Sequence, residues 1–284
     1  MTPLASSLHM AHAPRERELL HGDTRMIDTH NHLLPGVDDG PRDLEESLRM
    51  CRIAAEDGIR SVAATPHCFD GRFLTSPETV KRLVAQLNEE MVSSGIPLTI
   101  VPGMEVRIVP ELPELLAEGK VLTINDGRYV LLEFHPSQVP AGFANLVRRL
   151  VGNGYGVILA HPEKNSDIQG FPEYLFRLLN EFDPWQILVQ IAAESILGRG
   201  GFSAKRTAKI LLEHNLVHLI ASDAHSSTGR PPRLSVAVEL VGRIVGMDRA
   251  RQMVGTVPRA VIGIEDEFPE VWEPLNPRRW WRVL

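Results

Sequence analysis

Short apolar runs recur along the chain, and each hands over to polar residues and then to a stretch with helical spacing. The runs are "RMIDTH", "IRSVAATPH", "LTIVPGMEV", "RYVLLEF", "GYGVILAHPE", "WQILVQIA" and "LVHLIASDAH". Their length and their β-branched content predict strands. The stretches between them carry helix punctuation. "DLEESLRMCRIAAEDG" opens on Asp43 as N-cap, with Glu46 three residues on, and closes at Gly58. "SPETVKRLVAQLNEEMVSSG" opens on Ser76 followed by a first-turn proline, Pro77. "ELPELLAEGK", "GFANLVRRLVGNG", "YLFRLLNEF", "SAKRTAKILLEHN" and "RLSVAVELVGRIVG" are the further helical stretches. Strand alternating with helix predicts a parallel α/β domain, barrel-like, of about seven strands.

Polar residues fall at one place in this pattern. His30 and His32 close the first run, His67 the second, Glu105 the third, Glu133 the fourth and His161 the fifth, while Asp223 and His225 close the last. In a parallel α/β barrel all strand carboxyl ends open on one face. One histidine at a strand end is ordinarily structural. Six segments placing imidazoles and carboxylates at the same topological position point instead to a shared site.

The totals narrow the class. The chain has 284 residues, of which 43% are hydrophobic and 23% charged, enough for a core that needs no disulfide. A net charge of -6 argues against a nucleic-acid binder. Two cysteines, Cys51 and Cys68, suit a reducing cytoplasm. No apolar run approaches the roughly 20 residues of a membrane span. Residues 1–25 hold no apolar stretch of the secretory kind and read as a polar extension, with His9, His12 and His21 as solvated tail residues. The pattern begins at Met26, a candidate start of the natural chain. Residues 26–270 read as one domain and 271–284 as a tail rich in Trp and Arg.

Histidines two apart on a strand point to the same face, so His30 and His32 form a natural grip on a divalent ion. With Asp39, His67, Glu105, Glu133, His161, Asp223 and His225 the set numbers nine. That is too many for one centre and suits two or three ions sharing carboxylates. Mixed nitrogen and oxygen ligands without cysteine exclude a structural, cysteine-rich zinc site. Several ions in an open mouth imply hydrolysis, in which a metal-bound water loses its proton and attacks. Lys164 in "AHPEKN", Arg230 in "DAHSSTGRPP" and Arg72 in "TPHCFDGR" stand near these motifs. A guanidinium fork suits phosphate. Phosphomonoester hydrolysis follows, with Arg230 and Lys164 assisting catalysis and all three binding substrate. A solvated surface charge is the alternative for each.

"MIDTHNHLLPGVDDG", "LEESLRMCRIAAEDGI", "ATPH", "ILAHPE" and "LIASDAHSSTGRPP" resemble the PHP (polymerase and histidinol phosphatase) superfamily. Within it they resemble the bacterial capsule-type tyrosine phosphatases of the CpsB/CapC group, from Met26 to "GTVPRAVIG" near residue 263. The resemblance implies a distorted TIM-like (β/α)7 barrel. It implies two or three divalent ions, manganese foremost, with iron or zinc as alternatives. It implies hydrolysis of phosphotyrosine on a partner tyrosine kinase of polysaccharide export, in the cytoplasm. It places metal ligands at the nine positions above, with Glu105 bridging ions, and phosphate contact at Arg230. Two departures stand out. The group's "HPERY" is "HPEKN" here, so Lys164 keeps the charge and loses the fork. Its "QVNAGS"-like segment is "QIAAES", with Ala192 for a polar residue and Glu194 for a small one.

Rival readings carry less. A cysteine phosphatase needs C-x5-R, whereas Cys68 and Arg72 give C-x3-R and Cys51 lies inside a predicted helix. A histidinol-phosphate phosphatase would use the same metals. A metal-dependent amidohydrolase also begins with HxH but has no use for the GRPP loop. A non-catalytic metal-binding regulatory module would not need the full ligand set. The tail "FPEVWEPLNPRRWWRVL" is expected to pack on its own domain, the alternative being contact with a second copy.

Overall fold

The computed structural model describes residues 25–265, 267–270 and 272–277. The expectations for His9, His12 and His21, and for the end of the tail from Arg278 on, lie outside these residues. Among the described residues nine strands occur: β1 (Met26–Asn31), β2 (Ile59–Ala64), β3 (His67–Cys68), β4 (Thr99–Pro102), β5 (Glu105–Arg107), β6 (Tyr129–Glu133), β7 (Gly156–Ala160), β8 (Ile187–Ala192) and β9 (Leu219–Ala221). They form a sheet of order β1-β2-β4 and a second of order β3-β5-β6-β7-β8-β9. Every ladder is parallel.

Nine strands arise where about seven were expected because two runs break. "IRSVAATPH" bends at Pro66, which has no N–H to give a ladder, so β2 stops and β3 begins at His67. "LTIVPGMEV" bends at Pro102 and Gly103. A Cβ on Gly103 would sit 2.8 Å from Ile124 Cδ1 and 3.1 Å from Thr65 Cγ2, so the chain passes where a side chain does not fit. His67 and Glu105 therefore open short second segments and do not close their strands as expected.

The ladders do not form one closed ring. Between β9 and β1 stand a single parallel bridge, Asn31 to Ala224, and two hydrogen bonds: His32 N donates to Ala224 O at 2.9 Å and Asp223 N to His30 O at 3.0 Å. Buried Asp28 ties the same seam, accepting from Ser222 N at 2.9 Å, Ser222 Oγ at 2.5 Å and Asn31 Nδ2 at 3.0 Å.

Every residue of β6, β7 and β8 is buried, as expected for parallel strands covered on both faces. Alternate residues serve two cores. Val130, Leu132, Val157 and Leu159 join the large cluster with the helices. Tyr129, Leu131, Ile158 and Ala160 join a smaller one with Ile27, Leu188 and Leu219. The predicted caps are present: Asp43 accepts from Glu46 N at 2.9 Å ahead of helix Leu44–Glu56, and Ser76 accepts from Thr79 N at 3.3 Å ahead of helix Pro77–Ser93. The described part of the tail packs on this domain, with the Arg249 guanidinium 4.3 Å over the Trp272 ring. No helix among the described residues is long and apolar enough to cross a membrane.

Candidate metal centre

All nine proposed donors come together in one cluster. They fall into four overlapping groups whose donor atoms lie within 4.8 Å of one another: His32, Asp39, His67 and His225; His30, His32 and Asp223; His30, Glu105 and His161; and His67, Glu105 and Glu133. Glu105 faces two ways, with Oε1 2.9 Å from His161 Nε2 and Oε2 2.9 Å from His67 Nδ1. Two of these donors are held on left-handed backbone, His161 at φ 31° and Asp223 at φ 51°. Strain of this kind costs about 1–3 kcal/mol and persists where a site needs it.

Some donors pair with one another, as His161 Nε2 does with Glu105 Oε1 at 2.9 Å, and others do not. His67 Nδ1 and Glu105 Oε2 are buried and close, yet neither has hydrogen-bond geometry to any partner. His30 Nε2 and His32 Nε2 lie 3.1 Å apart. On the far side of each ring the second nitrogen meets an acceptor. His30 Nδ1 donates to Gln190 Oε1 at 2.9 Å, His32 Nδ1 to Asp38 Oδ2 at 2.7 Å and His225 Nδ1 to the Asp223 carbonyl at 3.0 Å. Each imidazole thus turns its Nε2 to the centre, the arrangement that metal-binding histidines show. At 3.1 Å these two nitrogens, His30 Nε2 and His32 Nε2, share a proton in a hydrogen bond, and a divalent ion at the same place would replace that proton. The donor set fits divalent metal.

The loop that follows β1 is shaped around this centre. Asp38 also accepts from Gly40 N at 2.9 Å and from His67 N at 3.1 Å. Gly40 admits no side chain, since a Cβ would stand 2.2 Å from the His32 carbonyl oxygen. Gly36 turns at φ 69°. The residues that orient the donors were missed in the sequence. Gln190 is the one polar residue inside the apolar run "ILVQIA", and that is its only signal. Arg107, which holds Glu133 Oε2 at 2.7 Å, left no signal beyond its charge.

Charge is concentrated here. Burial opposes ionisation of Glu105, but His30 beside it and hydrogen bonds from His161 and His30 hold the carboxyl well below its usual range. Asp223 is likewise held low against burial, by Lys164, His30, His161 and Arg230. Burial disfavours protonated His32, yet Asp38 and Glu105 outweigh it and raise it well above the usual imidazole range. Burial and then Glu105 push the Glu133 carboxyl up.

The three basic residues stand differently. Lys164 Nζ is 2.6 Å and Arg230 NH2 2.6 Å from Asp223 Oδ2, so both reach the centre. Glu194 lies against the same two, 2.5 Å from Lys164 Nζ and 3.3 Å from Arg230 Nε. Arg72 is exposed and sits over the Phe73 ring at 4.8 Å, and that ring stacks at 6.2 Å on His67. Neither cysteine is a nucleophile. Burial pushes the Cys68 thiol up to about 11 and the Cys51 thiol up to about 12, far from thiolate chemistry at neutral pH.

The family model for capsular polysaccharide synthesis, CpsB/CapC, matches residues 26–263. The chain belongs to the CpsB/CapC family. Among its relatives, the tyrosine-protein phosphatase YwqE of Bacillus subtilis is 38% identical over 201 residues, 71% of this chain and 78% of that one. The tyrosine-protein phosphatase CpsB of Streptococcus pneumoniae is 29% identical over 242 residues, 84% of this chain and 98% of that one. A solved structure from work on YwqE and CpsB, described as unique metal-dependent tyrosine phosphatases, matches with TM-score 0.82 and 32% identity. That match covers 88% of this CpsB/CapC chain and 99% of the solved one. A dihydropyrimidinase from Brevibacillus agri is similar at TM-score 0.51 and 10% identity over 87% of this chain and 72% of its own, a likeness of fold alone.

Proposed function

We propose that this chain is a metal-dependent protein-tyrosine phosphatase whose substrate is a phosphotyrosine-bearing kinase of capsule or exopolysaccharide synthesis. One observation carries the reading: nine donors of metal-binding type converge, beside two cations, in a CpsB/CapC chain. On this reading residues 26–270 are the catalytic unit and its seven strand-helix segments make a distorted barrel. The bridge between Asn31 and Ala224 supports that closure.

Two or three divalent ions, manganese foremost, are held by His30, His32, Asp39, His67, Glu105, Glu133, His161, Asp223 and His225. When bound, such ions acidify water and neutralise phosphate oxygens. The protein's own residues do the rest. Glu105 serves two donor groups and keeps them in register. Gln190 and Asp38 fix the ring faces of His30 and His32. Arg230 and Lys164 receive the phosphate and balance its charge. Arg72, outermost on Phe73, meets the substrate chain beyond the phosphate. Two buried, free cysteines and the family's kinase partners support a cytoplasmic site of action.

Phosphate release from a phosphotyrosine peptide, a phosphoserine peptide and histidinol phosphate tests this. The expected result is manganese-dependent release from the phosphotyrosine peptide, abolished by chelator and in His30→Ala. Preference for histidinol phosphate would overturn the substrate assignment. No release from any of them, with metal bound, would overturn the phosphatase.

A further inference from the structure

Glu194 opens the short helix Ala193–Leu197, directly after β8, and belongs to none of the four donor groups. Its carboxylate nevertheless meets both cations of the mouth. Oε1 lies 2.5 Å from Lys164 Nζ, and Oε2 lies 3.3 Å from Arg230 Nε. The second contact lacks hydrogen-bond geometry, and Arg230 Nε has no hydrogen-bond partner among the described residues. The other carboxylate on these cations is Asp223 Oδ2. The two acids are not equivalent. Asp223 Oδ1 also lies 3.6 Å from both His30 Nε2 and His32 Nε2, so its charge is engaged at the donor centre. Among the described residues the Glu194 carboxylate is paired with the two cations. Arg199 and Arg233 line the same cleft as Glu194 and Arg230. The four groups in direct contact, Lys164, Arg230, Asp223 and Glu194, balance two charges of each sign.

We propose that Glu194 sets how tightly the mouth holds phosphate, by competing with it for Lys164 and Arg230. A phosphate arriving at these cations must displace the Glu194 carboxylate. The same carboxylate recaptures them when phosphate leaves. Glu194 is a positioning residue acting through the two cations, and it weakens retention of product. The inference rests on the phosphatase reading, which assigns those cations to phosphate.

The test is calorimetric titration of inorganic phosphate into manganese-loaded, desalted protein. The expected result is a dissociation constant lower by about three- to tenfold in Glu194→Gln than in the natural chain, the worth of one partly exposed ion pair. Glu194→Ala should shift the same way, which guards against a folding defect peculiar to one variant. Glu194→Asp should stay near the natural value. The gap should narrow as salt rises, because these groups are partly exposed and screened. In turnover, KM and the inhibition constant of phosphate should fall together in Glu194→Gln. Unchanged phosphate affinity in both neutral variants would overturn the proposal, as would weaker binding, which would mean that Glu194 only props the cations in place. A chain that shows the shift but hydrolyses nothing would refute the phosphatase reading alone. An active chain indifferent to Glu194 would refute this inference alone.

Discussion

Asp38 shows what single residues contribute here. It precedes the proposed ligand Asp39, yet its carboxylate faces away from the donor groups and grips His32 Nδ1, His67 N and Gly40 N. One acid thereby fixes a ring, a strand start and a turn. Replacing such an orienting group costs about 10–100-fold in metal affinity. Asp38→Asn should therefore bind manganese about 10–100-fold more weakly while staying folded, as read by metal titration and circular dichroism. Affinity equal to that of the natural chain would show that the His32 ring needs no such anchor. The donors themselves were legible in the sequence because each stands next to a strand boundary or, like Asp39, in a motif with its own chemistry. Asp38, Gln190 and Arg107 were not. Gln190 meets a histidine 160 positions away, and nothing local distinguishes it from a solvated amide.

Elements were read well where periodicity and caps agree, as with Asp43 and Ser76. They were read less well where a strand bends without a change of hydrophobic pattern. "IRSVAATPH" is apolar through the break, and only Pro66 marks it. The short helix Ala193–Leu197 went unnoticed because a single turn leaves no period to detect. The pairing of β8 with β9 carries a consequence of its own. His218 at its edge accepts from Val189 N at 3.0 Å through Nδ1 and is buried. Burial, then the charge of Arg249, lowers this imidazole to about 3 from its ordinary 6.5. The unfolded chain therefore binds a proton below about pH 6.5 that the folded chain refuses down to about pH 3. Stability is lost as pH falls through that window, at about 1.4 kcal/mol per pH unit. Between pH 7 and pH 5 the natural chain should lose about 2 kcal/mol more than His218→Gln, in chemical denaturation of the two side by side. Equal losses would mean that His218 takes up its proton in the folded state.

At the scale of the molecule, a parallel sheet whose ends face one way brings together groups separated by almost 200 residues. His30 from β1 and Asp223 from beyond β9 lie 3.6 Å apart. The overall class was legible from strand-helix alternation. The seam between β9 and β1 was not, because it rests on buried Asp28 and Ser222, two polar residues inside apolar runs. The four donor groups share His30, His32, His67 and Glu105, so they cannot fill independently. That sharing favours two or three ions acting as one centre. The central claim is that this centre is both metal-binding and catalytic. The most direct measurement is to strip the chain with chelator, return manganese in steps, and follow bound metal and phosphate release from a phosphotyrosine peptide together. The account predicts two or three ions per chain, with release rising as they bind. Full loading without hydrolysis, or hydrolysis that persists in the stripped chain, would contradict it.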